Sequence, residues 1–293
     1  MSKYTVVDAH LHLWEVQNGW VNGKPVIGVG NGKSDFGGEV RQMMPPYMED
    51  DKNTVERLIA NMDYACVAGC VVTQEYIDGN QDAYLLCAKE KYPDRIKICS
   101  LYEEKDEFLL EGVDGVKICA GRLTDPDLKK LLPVFRKVER AGKFISIDLA
   151  DGDAQVADME YLIEQCPELK IAIGHFGMVT TAGWQKQIAL AKHKNVYIES
   201  GGLTWLFHKE FYPYPSAIDA ILEARDICGM EKLMWGSDYP RTMTDITYTM
   251  AVRFIAESEK LSEEEKRAFL GENAVKFYGF GKLPEMCEIP NML

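Results

Sequence analysis

The chain has 293 residues, 46% hydrophobic and 27% charged, a balance that fills a packed core under a solvated surface and excludes extended disorder. Its formal net charge of −13 at pH 7 disfavours contact with phosphate backbones and anionic lipids, so neither nucleic acid nor a membrane surface is an expected partner. No apolar run approaches ~18 residues and no signal-peptide pattern opens the sequence, which favours a cytoplasmic protein.

Short apolar runs alternate with helical patterns along the chain. The predicted strands cover residues 4–8, 70–74, 95–101, 113–118, 143–148, 169–174, 195–199 and 232–236. Eight strands alternating with helices predict an α/β fold, a single-domain (β/α)₈ TIM barrel spanning residues 1–293. The eight cysteines lie mostly inside apolar runs without metal-binding spacing, so we expect buried thiols in a reducing compartment rather than disulfides.

Two histidines follow the first predicted strand. Residues two apart in an extended chain point to the same side, so His10 and His12 are expected to face the barrel interior together. Two of only five histidines in this spacing indicate a shared ion or substrate oxygen, although a lone buried histidine is more often structural.

Residues 18–51 separate this strand from its helix. The segment is rich in glycine and proline, and in a barrel it emerges at the carboxyl-terminal mouth, which predicts a lid or specificity loop. The alternative is a solvated insertion without substrate contact. The following helix is predicted at residues 55–66, with a capping-box-like start at residues 53–56.

Other helices are predicted on the outside of the barrel. Apolar positions between residues 128 and 138 follow Pro126 and end at Gly142, with a kink at Pro133. Two further helices are predicted after the eighth strand, at residues 262–270 and 272–280. Residues 282–293 have too few apolar side chains for a core of their own.

Two more polar residues stand at predicted strand ends. His175 follows the sixth strand and Asp238 the eighth, so both are expected at the mouth with His10 and His12. The alternatives are a buried histidine bonded to a backbone carbonyl and an aspartate that caps a helix.

Charged and aromatic side chains near the same face are candidates for substrate binding. Four cations are placed to bind a carboxylate: Lys117, Arg122, Arg241 and Arg41. Three aromatic residues are placed to form apolar walls: Trp14, Tyr239 and Trp205. Structural ion pairs and core packing are the alternatives for these two sets.

Four motifs resemble the amidohydrolase superfamily. DAHLHLW at 8–14, CPELKIAIGHFG at 166–177, KLMWGSDYPR at 232–241 and GENAVKFYG at 271–279 are similar, in order and spacing, to the amidohydrolase-related (amidohydrolase 2) branch. That branch contains sugar-lactone and dicarboxylate-lactone hydrolases. The resemblance implies a TIM-barrel hydrolase with His10, His12, His175 and Asp238 as catalytic residues.

The resemblance leaves the cofactor open. Metal-dependent members carry a further histidine after strand five, where this chain has Asp148, and several lactonases of the branch work without a metal. His10, His12 and Asp238 would be the metal ligands, and three protein ligands suit a catalytic zinc. The expectation is no cofactor or one divalent cation, zinc first, with metal-free action favoured.

The resulting hypothesis is hydrolysis of the lactone of a small sugar acid or dicarboxylic acid. Asp238 would accept a proton from water while the three histidines polarise the carbonyl oxygen. The alternatives are a metal-dependent decarboxylase of an unsaturated or aromatic acid, a lactone isomerase, and a barrel that became a binding protein. The oligomeric state stays open, a homo-oligomer included.

Overall fold

Twelve strands form two sheets in the computed structural model, which describes residues 3–104, 107–290 and 292. They are β1 (Val6–Leu11), β2 (Asn18–Val21), β3 (Lys24–Gly28), β4 (Lys33–Phe36), β5 (Val40–Gln42), β6 (Val67–Val72), β7 (Ile96–Leu101), β8 (Gly115–Cys119), β9 (Phe144–Asp148), β10 (Lys170–Ile173), β11 (Val196–Glu199) and β12 (Leu233–Met234).

The larger sheet is a barrel of eight parallel strands in the order β1-β6-β7-β8-β9-β10-β11-β12. Backbone bonds join its first strand to the segment after β12, because Ala9 N donates to Trp235 O and Asp238 N to His10 O, both at 2.9 Å. The predicted single-domain TIM barrel is therefore confirmed. The strand ends that meet at its carboxyl-terminal rim carry the candidate site.

Helices surround the barrel. They are α1 (Val55–Ala65), α2 (Asp82–Lys91), α3 (Leu132–Arg140), α4 (Val156–Gln165), α5 (Trp184–Ala189), α6 (Leu203–Leu206), α7 (Pro215–Cys228), α8 (Tyr248–Ala256), α9 (Glu263–Arg267) and α10 (Asn273–Tyr278). Helix α1 shows why they pack there: its buried residues Val55, Leu58 and Met62 recur at helical spacing and cover the strands. Within the described part of the chain, no helix combines the length and apolarity that a bilayer span needs.

The barrel interior changes from apolar at its amino-terminal end to charged at its mouth. Phe144 of β9 packs at the lower end against Tyr278 of α10, with ring centroids 4.9 Å apart. A Cβ at Gly115 would lie 2.5 Å from the Phe144 ring, so this position leaves no room for a side chain. Higher up, inward-facing positions of β8, β9 and β11 carry Lys117, Asp148 and Glu199, which bring charge to the rim.

The smaller sheet lies inside the 18–51 segment, for which the sequence predicts a lid or specificity loop without strands. Strands β2 to β5 form an antiparallel meander that we call the excursion sheet. Gly19, Val26 and Ser34 are buried on one face. Trp20 N donates to Tyr76 O at 2.8 Å, which attaches β2 to the loop after β6. Paired short strands therefore replace the predicted loop.

Several helix boundaries differ from their predictions. The capping box at residues 53–56 is wrong, because Thr54 is the cap residue and the Asn53 side chain instead donates to His12 O at 2.6 Å. Pro133 occupies the first turn of α3, where its missing N–H costs nothing, and the 3₁₀ turn Leu128–Leu131 precedes it. The two helices predicted after residue 262 form one helical segment, since a π turn over Ala268–Glu272 joins α9 to α10.

The two ends of the described chain lie together below the barrel. Residues 3–5 line one depression together with Ala68, Val275 and five residues of the tail, Gly281, Leu283, Pro284, Glu285 and Met286. Leu283 packs next to Gly69 of β6 and belongs to the apolar cluster at the lower end of the barrel. The carboxyl-terminal tail therefore covers the end of the barrel opposite the rim.

Candidate active site

Three side chains from opposite ends of the sequence converge at the rim. His10 Nε2 lies 3.2 Å from His12 Nε2, and Asp238 Oδ1 lies 3.0 Å from the His12 nitrogen and 3.8 Å from that of His10. The two histidines come from the end of β1, and Asp238 follows β12. The backbone bonds that close the barrel therefore also bring these three residues together.

The backbone aims two of the site residues into the mouth. Asp238 has φ 59° and His175 has φ 54°, both in the left-handed region that side-chain-bearing residues rarely adopt. Such conformations cost of order 1–3 kcal/mol and persist where the surrounding structure fixes them. At Asp238 the fixing contacts include its own N–H, bonded to His10 O at 2.9 Å.

Two buried acidic side chains lie on the far side of the histidine pair. Glu199 Oε1 is hydrogen-bonded to His10 Nδ1 at 2.5 Å, whereas Asp78 Oδ2 lies 3.4 Å from His12 Nδ1 without a hydrogen bond, and burial raises the pKa of Asp78 to about 7. A carboxylate beside Nδ1 favours the tautomer with its proton on that nitrogen. For His10 this leaves the Nε2 lone pair directed toward His12, whereas His12 Nε2 donates to the ionised Asp238 Oδ1.

Burial and neighbouring charges shift the pKa values of His10, His12 and Asp238. Burial lowers the pKa of His10, so its ring is neutral. Burial also opposes charge on His12, but the hydrogen bond to Asp238 and the charge of Asp78 outweigh it and raise the pKa of His12. For Asp238, burial is outweighed by its contacts with His12, so its pKa lies well below the usual range. Asp238 is consequently ionised at neutral pH.

His175 completes the group from the end of β10. Its ring centroid lies 4.6 Å from that of His10, and its Nδ1 donates to Gly201 O at 2.8 Å. Burial disfavours the imidazolium, yet the charge of Asp148 outweighs burial and raises the pKa of His175 to about 10. His175 is therefore protonated and positively charged at neutral pH.

Lys117 does not have the predicted substrate-binding position. Its side chain is fully buried beneath the rim, and its Nζ lies 2.6 Å from Asp148 Oδ2. Burial disfavours its charge, but Asp148 outweighs this and raises the pKa of Lys117. Lys117 is therefore paired with a carboxylate of the protein and does not line the cavity.

A cavity of about 420 Å³ opens above these residues. His12, His175 and Asp238 line it, together with Arg122, Arg241, Trp14 and Trp205. Trp205 Nε1 donates to Asp238 Oδ2 at 2.5 Å, and the Arg241 guanidinium stacks 3.9 Å from the Trp205 ring centroid. Arg122 Nε lies 3.0 Å from Glu75 Oε1. Two arginines thus share one cavity with the ionised Asp238.

Two other residues predicted to bind substrate, Arg41 and Tyr239, do not line the cavity. Arg41 lies on the exposed strand β5, paired with Glu39 at 2.9 Å and stacked on the Phe36 ring, outside the cavity. Tyr239 is fully buried and packs against Tyr248 with centroids 5.4 Å apart, because the strand-end spacing turns its ring into the core. Its neighbour Pro240 lines the cavity in its place.

Sequence reasoning overlooked several residues of the site, of which three show why. Glu199 ends a predicted strand, so the strand-end rule that found His175 and Asp238 could also have found it. Asp78 and Met43 line the cavity from irregular segments that carry no periodic signal.

The converging donors fit a divalent cation. The candidate ligand atoms of His10, His12 and Asp238 all lie within 4.8 Å of one another. Two imidazole nitrogens and a carboxylate oxygen are a donor set that zinc accepts in catalytic sites. The buried carboxylates on the Nδ1 atoms supply the outer contacts that such ligands usually have.

A protein-family model matches most of the chain. Residues 7–280 match the model of the Amidohydrolase family, so the chain belongs to that family and is an amidohydrolase-superfamily enzyme. No match was found among functionally curated proteins.

Solved structures share the fold at low sequence identity. A probable 2-pyrone-4,6-dicarboxylic acid hydrolase of Acinetobacter baumannii, with citric acid bound, has a TM-score of 0.67 and 21% identity, covering 94% of this chain and 100% of its own. A zinc-bound amidohydrolase of Burkholderia multivorans has a TM-score of 0.68 and 15% identity, with the same coverage. A manganese-bound 5-carboxyvanillate decarboxylase of Novosphingobium aromaticivorans has a TM-score of 0.56 and 17% identity, covering 76% of this chain and 79% of its own.

Proposed function

We propose that the protein opens the lactone of a small sugar acid or dicarboxylic acid by attack of water. The observation that carries this proposal is geometric: Asp238 and His175 line one cavity, where His12 and Trp205 hold the Asp238 carboxylate and His175 Nε2 lies 3.5 Å from Asp148 Oδ2. A carboxylate positioned in this way can take a proton from water, and an imidazolium stabilises charge that grows on a carbonyl oxygen.

The step is an addition followed by ring opening. Water adds its oxygen to the lactone carbonyl carbon while Asp238 accepts the proton that water loses. His175 donates a hydrogen bond to the carbonyl oxygen as it becomes negative, while His12 holds Asp238 through the contact between its Nε2 and Asp238 Oδ1. The ring C–O bond then breaks, the carbonyl re-forms as a carboxylic acid, and the proton on Asp238 passes to the departing ring oxygen. Trp205 and His12 each engage one oxygen of Asp238, and each oxygen keeps a lone pair for water.

The cavity cations favour an anionic substrate. Arg122 and Arg241 line it, and a guanidinium matches a carboxylate with two parallel hydrogen bonds. The A. baumannii relative in fold binds citric acid and is a probable hydrolase of a dicarboxylic acid. We therefore place the substrate among lactones that carry a further carboxylate, with Met43 of the 18–51 segment supplying an apolar contact from a specificity loop.

A divalent cation, zinc first, would be held by His10, His12 and Asp238. When bound it would supply a Lewis acid that polarises the carbonyl oxygen. Metal-assisted and metal-free hydrolysis differ in one measurable way, since only the former is lost with a chelator and restored with zinc. The eight free cysteines are consistent with the proposed location in the reducing cytoplasm.

The second candidate is decarboxylation of an aromatic or unsaturated acid. Two manganese-bound decarboxylases are among the structures that share this fold, and the converging donors fit such an ion. The absence of a histidine after β9, where Asp148 pairs with Lys117, argues against it.

One experiment separates these candidates. The purified protein is offered sugar-acid and dicarboxylate lactones and, in parallel, aromatic acids, with and without chelator. Acid release from a lactone is the expected result, whereas carbon dioxide release without lactone opening would replace hydrolysis by decarboxylation. A rearranged lactone without net acid would identify an isomerase.

A further inference from the structure

The excursion sheet exposes apolar side chains on one face. Directly paired residues in antiparallel strands point to the same side, so Trp20, Ile27 and Val40 share the outer face of the sheet. Their exposed fractions are 60%, 48% and 55%, respectively. Exposed apolar side chains gathered on one face are a feature of protein interaction sites.

The sheet also ends in an open edge. Strand β5 pairs with β4 on one side, and its three residues are all exposed. An edge strand presents unpaired backbone N–H and C=O groups that can pair with another strand. The opposite edge is not available in this way, because β2 bonds to the loop after β6 through Trp20 N and Asn18 N.

The sequence at this edge is complementary to itself. Glu39 and Arg41 flank Val40 and point to the opposite side of the strand from it. Consider two β5 strands paired antiparallel about a two-fold axis at Val40. Glu39 then lies opposite Arg41 of the partner subunit, and Arg41 lies opposite Glu39 of the partner subunit. Opposite charges in directly paired positions stabilise a sheet, and like charges destabilise it.

The charge of the excursion sheet also favours association with a second copy of the chain through this sheet. The whole chain carries −13, so two copies repel over most orientations. The excursion sheet itself, residues 18–42, carries three cations, Lys24, Lys33 and Arg41, and two anions, Asp35 and Glu39. Two copies that approach through this sheet therefore meet less repulsion than through the average surface.

We infer that the protein forms a two-fold dimer through antiparallel pairing of β5 with β5 of a second copy. The four-stranded excursion sheets of the two copies become one eight-stranded sheet. Val40 packs against Val40 of the partner subunit, which removes part of the exposed apolar surface from water. Because a two-fold interface uses the same patch on both subunits, self-complementary charge is what it requires.

Charge reversal tests this register. Arg41→Glu or Glu39→Arg alone places like charges opposite each other at two positions, whereas the double variant E39R/R41E restores both pairs. Sedimentation velocity over a concentration series measures the dimer dissociation constant. We expect each single variant to raise it by at least about tenfold and the double variant to return it close to the wild-type value.

The matched control is Arg253→Glu on α8, an exposed arginine that also pairs within its own chain. It should leave the dimer intact, and circular dichroism should show all variants folded. A wild-type chain that stays monomeric at every concentration would overturn the proposal. A dimer that survives both single reversals would overturn it too, because the interface would then lie elsewhere.

Discussion

The location of protons governs the chemistry of individual residues in this site. Asp238 is ionised because His12 contacts outweigh its burial, and it shares the cavity with a cationic His175.

Replacement of Asp238 by asparagine keeps an oxygen acceptor but removes the charge. We expect kcat for lactone opening to fall by about 10²- to 10⁴-fold with little loss of folding, measured by acid release and circular dichroism. Asp226→Asn, on the exposed surface, is the control, and full activity of D238N would exclude Asp238 as the base.

Lys117 is expected to be important for stability. In Lys117→Met, the Asp148 carboxylate, whose side chain is 15% exposed where it lines the cavity, loses the Lys117 charge and keeps His175 as a nearby cation. Removal of one partner of a fully buried ion pair costs about 3–5 kcal/mol and solvent access reduces this, so denaturant unfolding should show a loss of about 1–3 kcal/mol. The exposed Lys130→Met should change stability little, and recovery in K117M/D148N would attribute the loss to the uncompensated carboxylate.

The same pair predicts a pH dependence. The pKa of Asp148 is held far below its ordinary value of 3.8, because the Lys117 and His175 charges outweigh its burial. A depressed pKa in the folded state contributes stability above 3.8 that is lost as the pH falls. The stability difference between wild type and K117M should therefore shrink on acidification. Unfolding free energies measured from neutral pH downward test this, and a constant difference would contradict it.

Among the elements, the joint between α9 and α10 depends on close backbone packing. A Cβ at Gly271 would lie 1.9 Å from Thr5 O, which is a backbone atom that cannot rotate away. Gly271→Ala should therefore destabilise the protein by about 1–3 kcal/mol, measured by chemical denaturation. Gly281→Ala meets no atom within 4 Å and serves as the control. Equal stability of the two variants would show that the joint relaxes without cost.

Buried elements were predictable from the sequence because their apolar runs are continuous. The strand at residues 143–148 differs from β9 by one residue, whereas the first strand was predicted to end at residue 8 and extends to Leu11. Its last residues include His10, which hydropathy alone counts as polar. The excursion sheet was missed because its strands have three to five residues and are interrupted by turns with Gly37 and Gly38 at positive φ.

At the scale of the whole molecule, the candidate site is assembled by the same contacts that close the barrel. The four predicted catalytic residues were located by one rule, that parallel strands end at a common rim. The cations could not be sorted in the same way, because Lys117 points inward below the rim and Arg41 lies on a sheet that was not predicted. Side-chain direction in irregular segments depends on tertiary contacts that periodicity does not encode.

The proposed cation would bind residues at the ends of the two strands that close the barrel, β1 and β12. His10 and His12 come from β1 and Asp238 follows β12, so binding to the folded state alone should stabilise the entire barrel. Zinc at 100 times its dissociation constant adds about 2.7 kcal/mol, which scanning calorimetry should record as a higher Tm. His12→Asn should abolish the increase and the peripheral His193→Asn should retain it. An unchanged increase in H12N would locate the ion at another site.

The shared position of residues 3–5 and 281–286 has a practical consequence. Both segments leave the barrel on the side away from the cavity. A linker attached to either of them would therefore anchor the enzyme to a resin or an electrode with its opening turned toward the solution. Immobilised in this orientation, the catalyst would keep free exchange of small molecules with the surrounding liquid.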